Sequence, residues 1–133
     1  MKWPQAGEFG WPPGEAQARL GNYLGYMLEA TQLARQYVQS VSKDEFLTDR
    51  RTQQAVVLNL MTIGEAAARI VNECKEFAAA HPEIPWAQMR GMRNRMVHGY
   101  FDVDLNIVWD TVQSSLPQLE SQLRTVTDSA RSS

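Results

Sequence analysis

Apolar residues recur at three- and four-residue steps over most of the chain, the period of helices that pack on one face. Leu20, Tyr23, Leu24, Met27, Leu28, Thr31, Ala34, Tyr37, Val38 and Val41 form one such stripe, which predicts a helix from about Glu15 to Val41. Ser42 with Glu45 three residues on is a capping-box pattern opening a short helix or turn through Phe46. Thr48 and Asp49 can cap the next helix. Its stripe runs through Val56, Leu60, Ile63, Gly64, Ala67, Val71, Cys74 and Ala78, until the two prolines of AHPEIP stop it. Some thirty helical residues would make a rod of roughly 45 Å. Gly64 and the alanines of GEAAARI predict that another helix comes close to it.

Pro85 suits the first turn of a third helix carrying WAQMRGMRNRMVH, with Gly99 in the glycine position that closes it. Asp104 caps a fourth, with Val103 and Val108 placed as a hydrophobic staple, running through Val112, Leu116, Leu119 and Leu123 to about Thr127. Pro117 inside it predicts a kink. No stretch has a strand period, so the fold class is all-α, an up-and-down bundle of four to five helices spanning residues 15–127. Residues 1–14, rich in Pro, Gly and Trp, read as an irregular arm. Trp3, Phe9 and Trp11 either dock it on the body or belong to a free tail. Residues 128–133 read as a frayed end.

Composition changes this picture little. A chain of 133 residues, 44% hydrophobic and 21% charged, is one folded soluble domain's worth. The formal charge of -2 argues against coating nucleic acid through bulk positive charge. Local charge differs: between His81 and Tyr100 lie Arg90, Arg93 and Arg95 against Glu83 alone, a basic island that suits a polyanion. A single cysteine, Cys74, permits no internal disulfide and fits a reducing cytoplasm. No apolar run approaches a membrane span and no signal peptide opens the chain, so a cytoplasmic location is expected. His81 and His98 have no metal-ligand spacing, and neither a metal nor another cofactor is expected.

The candidate chemistry sits on the third helix. Trp86, Met89, Met92 and Met96 define its apolar face, and Arg93 falls inside that arc. A guanidinium there is costly unless it snorkels, pairs with a carboxylate such as Glu65, or meets an anion. His98 lies about 140° around the helix from Arg93. A chain leaving helical geometry at Gly99 would help the two groups meet. Asn94, four residues before His98, is on the same side and within reach of the imidazole or a substrate oxygen. Spacing alone favours a blander role, a histidine set against the helix dipole.

The longer string shifts that balance. RNRMVHGYF at 93–101 carries Arg-Asn, three residues, His, one residue, Tyr, in company with IGEAAARI at 63–70, IPWAQMRGMRN at 84–94 and the helix VDLNIVWDTVQSSLPQLESQL at 103–123. The chain here resembles the HepT-like proteins of the HEPN superfamily, toxins of bacterial and archaeal toxin-antitoxin pairs. The resemblance covers about Arg19 to Leu123. It implies a HEPN-like, homodimeric, metal-independent endoribonuclease whose two motifs face a shared cleft. Arg93, Asn94 and His98 match the motif's functional positions. Tyr100 matches the tyrosine to which a cognate minimal nucleotidyltransferase, the MntA-type antitoxin, adds AMP to silence the toxin.

The residue types suit that chemistry. RNA cleavage without metal needs the ribose 2′-OH deprotonated, the leaving 5′-oxygen protonated and the phosphorane's charge stabilised. An unperturbed imidazole titrates near pH 6.5 and a fixed guanidinium suits phosphate oxygens. Arg90 and Arg95 are candidate RNA contacts on the same helix. Dimerisation would pack the methionine stripe across subunits. The rival reading is a non-catalytic helical dimer serving as binding partner or AMP-acceptor subunit of a nucleotidyltransferase.

Overall fold

The structure, a computed structural model, describes residues 16–132, without the side chains of residues 16–18, Tyr100 and 130–132. Both the irregular arm at 1–14 and Ser133 lie outside the described residues. Within them every regular element is helical. Helix α1 is Ala16–Tyr37, α2 Lys43–Thr48, α3 Arg50–Glu73, α4 Lys75–Ala80 and α5 Trp86–His98. A 3₁₀ turn, Tyr100–Asp102, leads into α6 at Leu105–Asp110, a π-helical segment at Thr111–Ser115 and α7 at Leu116–Ser132. The expected all-α bundle is the fold observed, with α1, α3, α5 and α7 as its long members.

Neighbours in this bundle run antiparallel. Helix α3 is central, with α1 along one side and α5 along the other, while α7 packs on α1. Tyr23, Leu24 and Met27 of α1, Leu60, Ile63 and Ile70 of α3, and Leu119 and Leu123 of α7 meet in one buried core. The stripes read from the sequence are therefore buried or half-buried faces, except for Tyr37, which is exposed at the end of α1. Between α5 and the α6–α7 arm the fourth side stays open as a groove.

Local chemistry sets the joints. α1 ends at Tyr37, short of the expected Val41, because the chain tightens into a turn where Val41 N–H bonds Val38 O at 3.1 Å. Ser42 then caps α2: its hydroxyl accepts from Glu45 N–H and Glu45 accepts from Ser42 N–H, each at 3.1 Å. The residue that caps α3 is Asp49, which takes Thr52 N–H, whereas Thr48 turns its hydroxyl back on α2 carbonyls. Asp104 caps α6 through Asn106 N–H, and both staple valines, Val103 and Val108, lie against the core.

Several expectations need correction. The long second rod is broken: Cys74 leaves helical geometry at φ −129°, ψ 56°, and α3 is 24 residues, about 36 Å. The apolar stripe gives no warning, since Cys74 and Ala78 still pack on the core after the bend. Gly99 closes α5 at φ −135°, not in the left-handed region. Its Cβ would stand 3.3 Å from Arg95 O, so space rather than dihedral freedom favours glycine there. Where Pro117 predicted a kink, the helix widens into a π-helical stretch just before the proline. The proline has no N–H for the Gln113 carbonyl, and its ring crowds that turn open. Finally, α3 does reach the length and mean hydropathy, 1.2, of a membrane-crossing helix, contrary to expectation, but half of that window is buried inside the bundle. The helix expected to end near Thr127 continues to Ser132.

Two ionic clamps hold the helices in place. Glu73, at the end of α3, accepts Arg19 Nε at 2.8 Å and the Tyr23 hydroxyl at 2.9 Å. Burial pushes its carboxyl up, but the bonds from Tyr23 and Arg19 outweigh this and hold it below the ordinary range. Glu120 of α7 is gripped by Arg35 at 2.7 Å and Arg124 at 2.8 Å. There too the arginine bonds outweigh burial and the carboxyl is lowered.

A side chain lowered on folding stabilises the fold above its unfolded pKa and loses that contribution as pH falls through the folded value. Glu73→Gln should therefore flatten the fall in urea midpoint between roughly pH 6 and pH 3; a curve parallel to the parent's would mean Glu73 carries none of the acid sensitivity. At Gly64 an added Cβ would run into Arg93 Cβ and stand 2.6 Å from Met89 O, a backbone atom that cannot move aside. Gly64→Ala should cost about 1–3 kcal/mol in urea denaturation, whereas Gly21→Ala, exposed inside α1 with nothing within 4 Å, should gain about 0.5–1 kcal/mol.

Candidate active site

The site is built on α5, and its N-terminus is fixed first. Trp86 Nε1 donates to Ala78 O at 3.2 Å and His81 O at 3.0 Å, and its ring meets Phe77 edge-on at 6.3 Å. Gln122 Nε2 reaches Glu83 O at 2.9 Å and ties this corner to α7. From there Met89 and Met96 sink into the core of the chain itself, each 6% exposed, with Met92 half-buried beside them. The methionine stripe expected to pack across subunits is thus largely consumed within one subunit.

Arg93 occupies the edge of that buried face, pressed on α3 where Gly64 has no side chain. Its guanidinium NH1 lies 3.2 Å from Glu65 Oε2, the carboxylate pairing the sequence allowed. The other oxygen, Glu65 Oε1, accepts Arg69 Nε at 3.1 Å. Arg93 Nε is fully buried without a hydrogen-bond partner.

His98 is on a different flank. Helix α5 keeps its geometry through His98, with Gly99 N–H bonded to Arg95 O at 2.8 Å, so the turn comes too late to swing the imidazole toward Arg93. His98 is exposed and lines the open groove together with Arg95, Asp102 and Asp104, whereas Arg93 does not line it. A single chain therefore does not gather Arg93 and His98 into one cavity. Between them, at about 60° and 100° around the helix from Arg93, lie the half-buried Arg90 and the exposed Asn94. Neither Arg90 nor Arg95 forms an ion pair among the described residues. The outer face of α5 thus runs from Arg93 through Arg90, Asn94 and His98 to Arg95. Tyr100 opens the 3₁₀ turn just beyond; its side chain lies outside the described residues.

The groove has a volume of about 720 Å³ and a mainly apolar lining that includes Ile63, Met89, Met92, Val108 and Leu116. Sequence reasoning missed it because it exists only where α5 and the π-helical segment fail to close on each other. Apolar side chains are also exposed at this end: Val97 at 52%, Phe101 at 98%, Ile107 at 64% and Leu58 at 64%. Leu58 precedes Gly64 by as much as Val97 follows its α5 contacts, so the antiparallel pair puts both at the His98 end. Among the described residues no three His, Cys, Asp or Glu side chains gather as a metal site.

An all-helical bundle presenting this motif on one outer helix face defines a HEPN-type domain, and the comparisons agree. The model of the family described as Ribonuclease HepT-like matches residues 27–126, so the chain belongs to the HepT-like ribonuclease family. It is 39% identical over 101 residues to "Probable ribonuclease HepT" of Thermococcus cleftensis, covering 76% of this chain and 89% of that protein. It is 34% identical over 104 residues to "Putative RNase TTE0752" of Caldanaerobacter subterraneus subsp. tengcongensis, covering 78% of this chain and 90% of that protein. No solved structure matches significantly.

Val97 and Leu58 are exposed in the single chain, so at protein dilutions that hold it monomeric Val97→Ser and Leu58→Ser should leave the unfolding free energy within about 0.5 kcal/mol of the parent. A larger loss under those conditions would mean that the two side chains pack within the chain.

Proposed function

We propose that this protein is a metal-independent endoribonuclease, the toxin of a toxin-antitoxin pair, acting in the cytoplasm as a homodimer. The observation that carries the reading is the outer face of α5. In a chain of the HepT-like family, Arg93, Arg90, Asn94, His98 and Arg95 follow one another around roughly 200° of the α5 surface. Guanidinium groups flank an imidazole there, the equipment for holding a phosphodiester while moving protons.

In the proposed reaction His98 removes the proton of a ribose 2′-OH and the oxygen attacks the adjacent phosphorus. The P–O5′ bond breaks, and the departing 5′-oxygen takes a proton from the imidazolium of a second copy's equivalent histidine. Arg93 neutralises the charge that grows on the non-bridging oxygens, and Asn94 orients the imidazole or a substrate oxygen. The products are a 2′,3′-cyclic phosphate and a free 5′-hydroxyl. No step needs a metal or another cofactor.

A dimer answers the separation of Arg93 and His98 within one chain, because a facing α5 can bring one copy's residues to the other's. Exposed Val97, Phe101, Ile107 and Leu58 at that end are the surface it would cover. Tyr100 follows the histidine by two residues, so AMP added there by an MntA-type nucleotidyltransferase places negative charge and bulk beside the outer face of α5 and repels RNA. One observation favours the rival, a non-catalytic helical dimer that binds or presents itself to the nucleotidyltransferase: Arg93 is already paired with Glu65.

Total RNA incubated with the parent in excess EDTA should yield fragments with cyclic phosphate ends, while His98→Ala yields none. A folded, unmodified parent that leaves RNA intact supports the rival. In sedimentation at micromolar concentration, Val97→Lys combined with Ile107→Lys should move a dimeric parent to monomer and abolish cleavage; a parent that is already monomeric removes the shared-cleft account.

A further inference from the structure

We propose that Glu65 is a positioning residue for Arg93, fixing one edge of its guanidinium so that the other edge meets the substrate phosphate; this rests on the nuclease reading above. Arg93 cannot choose its own pose. Its Cβ is set by the backbone contact at Gly64, and the next residue of α3 presents a carboxylate 3.2 Å from NH1. That carboxylate is itself held. Arg69, one turn further along α3, binds its second oxygen at 3.1 Å, and Arg69 also approaches Glu73 at 3.9 Å, where Arg19 and Tyr23 anchor the chain of charges to α1. Glu65 is therefore a braced group.

Three features separate this from an ordinary surface ion pair, which contributes little. First, Arg93 Nε is buried with no acceptor, a desolvation cost that a purely structural pairing would be expected to avoid. Second, among the described residues Arg93 makes no other ionic contact, so the face of its guanidinium away from Glu65 is left for an anion. Third, one carboxylate between two guanidinium groups leaves the trio with net positive charge. The pairing orients Arg93 without cancelling its attraction for phosphate. An arginine on a four-bond stem without such a brace would sample many rotamers, and a misplacement of about 1 Å can cost about 100-fold in rate.

The test is a kinetic cycle on the full chain, with a fluorescent RNA oligonucleotide in EDTA. Glu65→Ala should lower kcat about ten- to a hundredfold with KM little changed. Glu65→Gln, which keeps an acceptor oxygen near NH1 at nearly the same volume, should recover part of that loss and guards against a fold defect in the alanine variant. Combined with Arg93→Ala, Glu65→Ala should add no further loss, since a positioning residue has nothing left to position. A Glu65→Ala enzyme with parental kcat, a Gln variant no better than the alanine one, or losses that multiply in the double variant would overturn the inference while an active parent keeps the nuclease reading standing. A parent without activity would overturn the nuclease reading and this inference with it.

Discussion

The constraint on which the site depends is the backbone contact between α3 and α5 at Gly64. No side chain fits there, so the two helices touch where Met89 and Arg93 pass. That contact fixes how α5 is rotated. Met89 and Met96 then point into the core, Arg93 lies along the seam, and the remaining arc with Arg90, Asn94 and His98 can only face outward. The display of the motif is a packing consequence. Turning α5 by one residue would bury a charge or expose a methionine.

Electrostatics follows from the same seam. Glu65, Arg69 and Glu73 stand four residues apart along α3, the spacing at which helical side chains are neighbours. Each pair alone is a modest surface interaction. Their ends differ, however, because one reaches Arg93 on α5 and the other Arg19 and Tyr23 on α1. The row laces the three antiparallel helices together beneath the motif, while the opposite side of α5 borders the open groove. The ionic row thus holds the helix that carries the chemistry on the flank away from the groove.

Much of this was legible from residue types. The capping box at Ser42 and Glu45, the caps at Asp49 and Asp104, the buried stripes and the close approach at Gly64 all rest on local rules, and they appear as read. So does the Glu65 partner of Arg93, since an arginine in an apolar arc demands an acid within reach. What was not legible depends on the packing of distant elements. The bend at Cys74 keeps the hydrophobic rhythm unbroken, so periodicity cannot see it. Gly99 looked like a left-handed cap but adopts an ordinary φ. The groove arises from α5 and α7 standing apart, which no single stretch encodes. Nor could spacing decide whether Arg93 and His98 share a cavity, because α5 stays regular to its last residue.

The widened turn at Thr111–Ser115 has a consequence for how the chain can change length. A π-helical turn holds one more residue than an α-helical turn while the helix on either side keeps its phase. Elsewhere in α6 or α7, losing a single codon would rotate everything downstream by about 100° and carry Leu116, Leu119, Leu123 and Val126 off the core. Within Thr111–Ser115 the same loss would remove the extra residue and leave those four residues aimed close to where they are, with Pro117 then kinking the helix. The segment is the place in this arm where one residue can be lost without rebuilding the bundle.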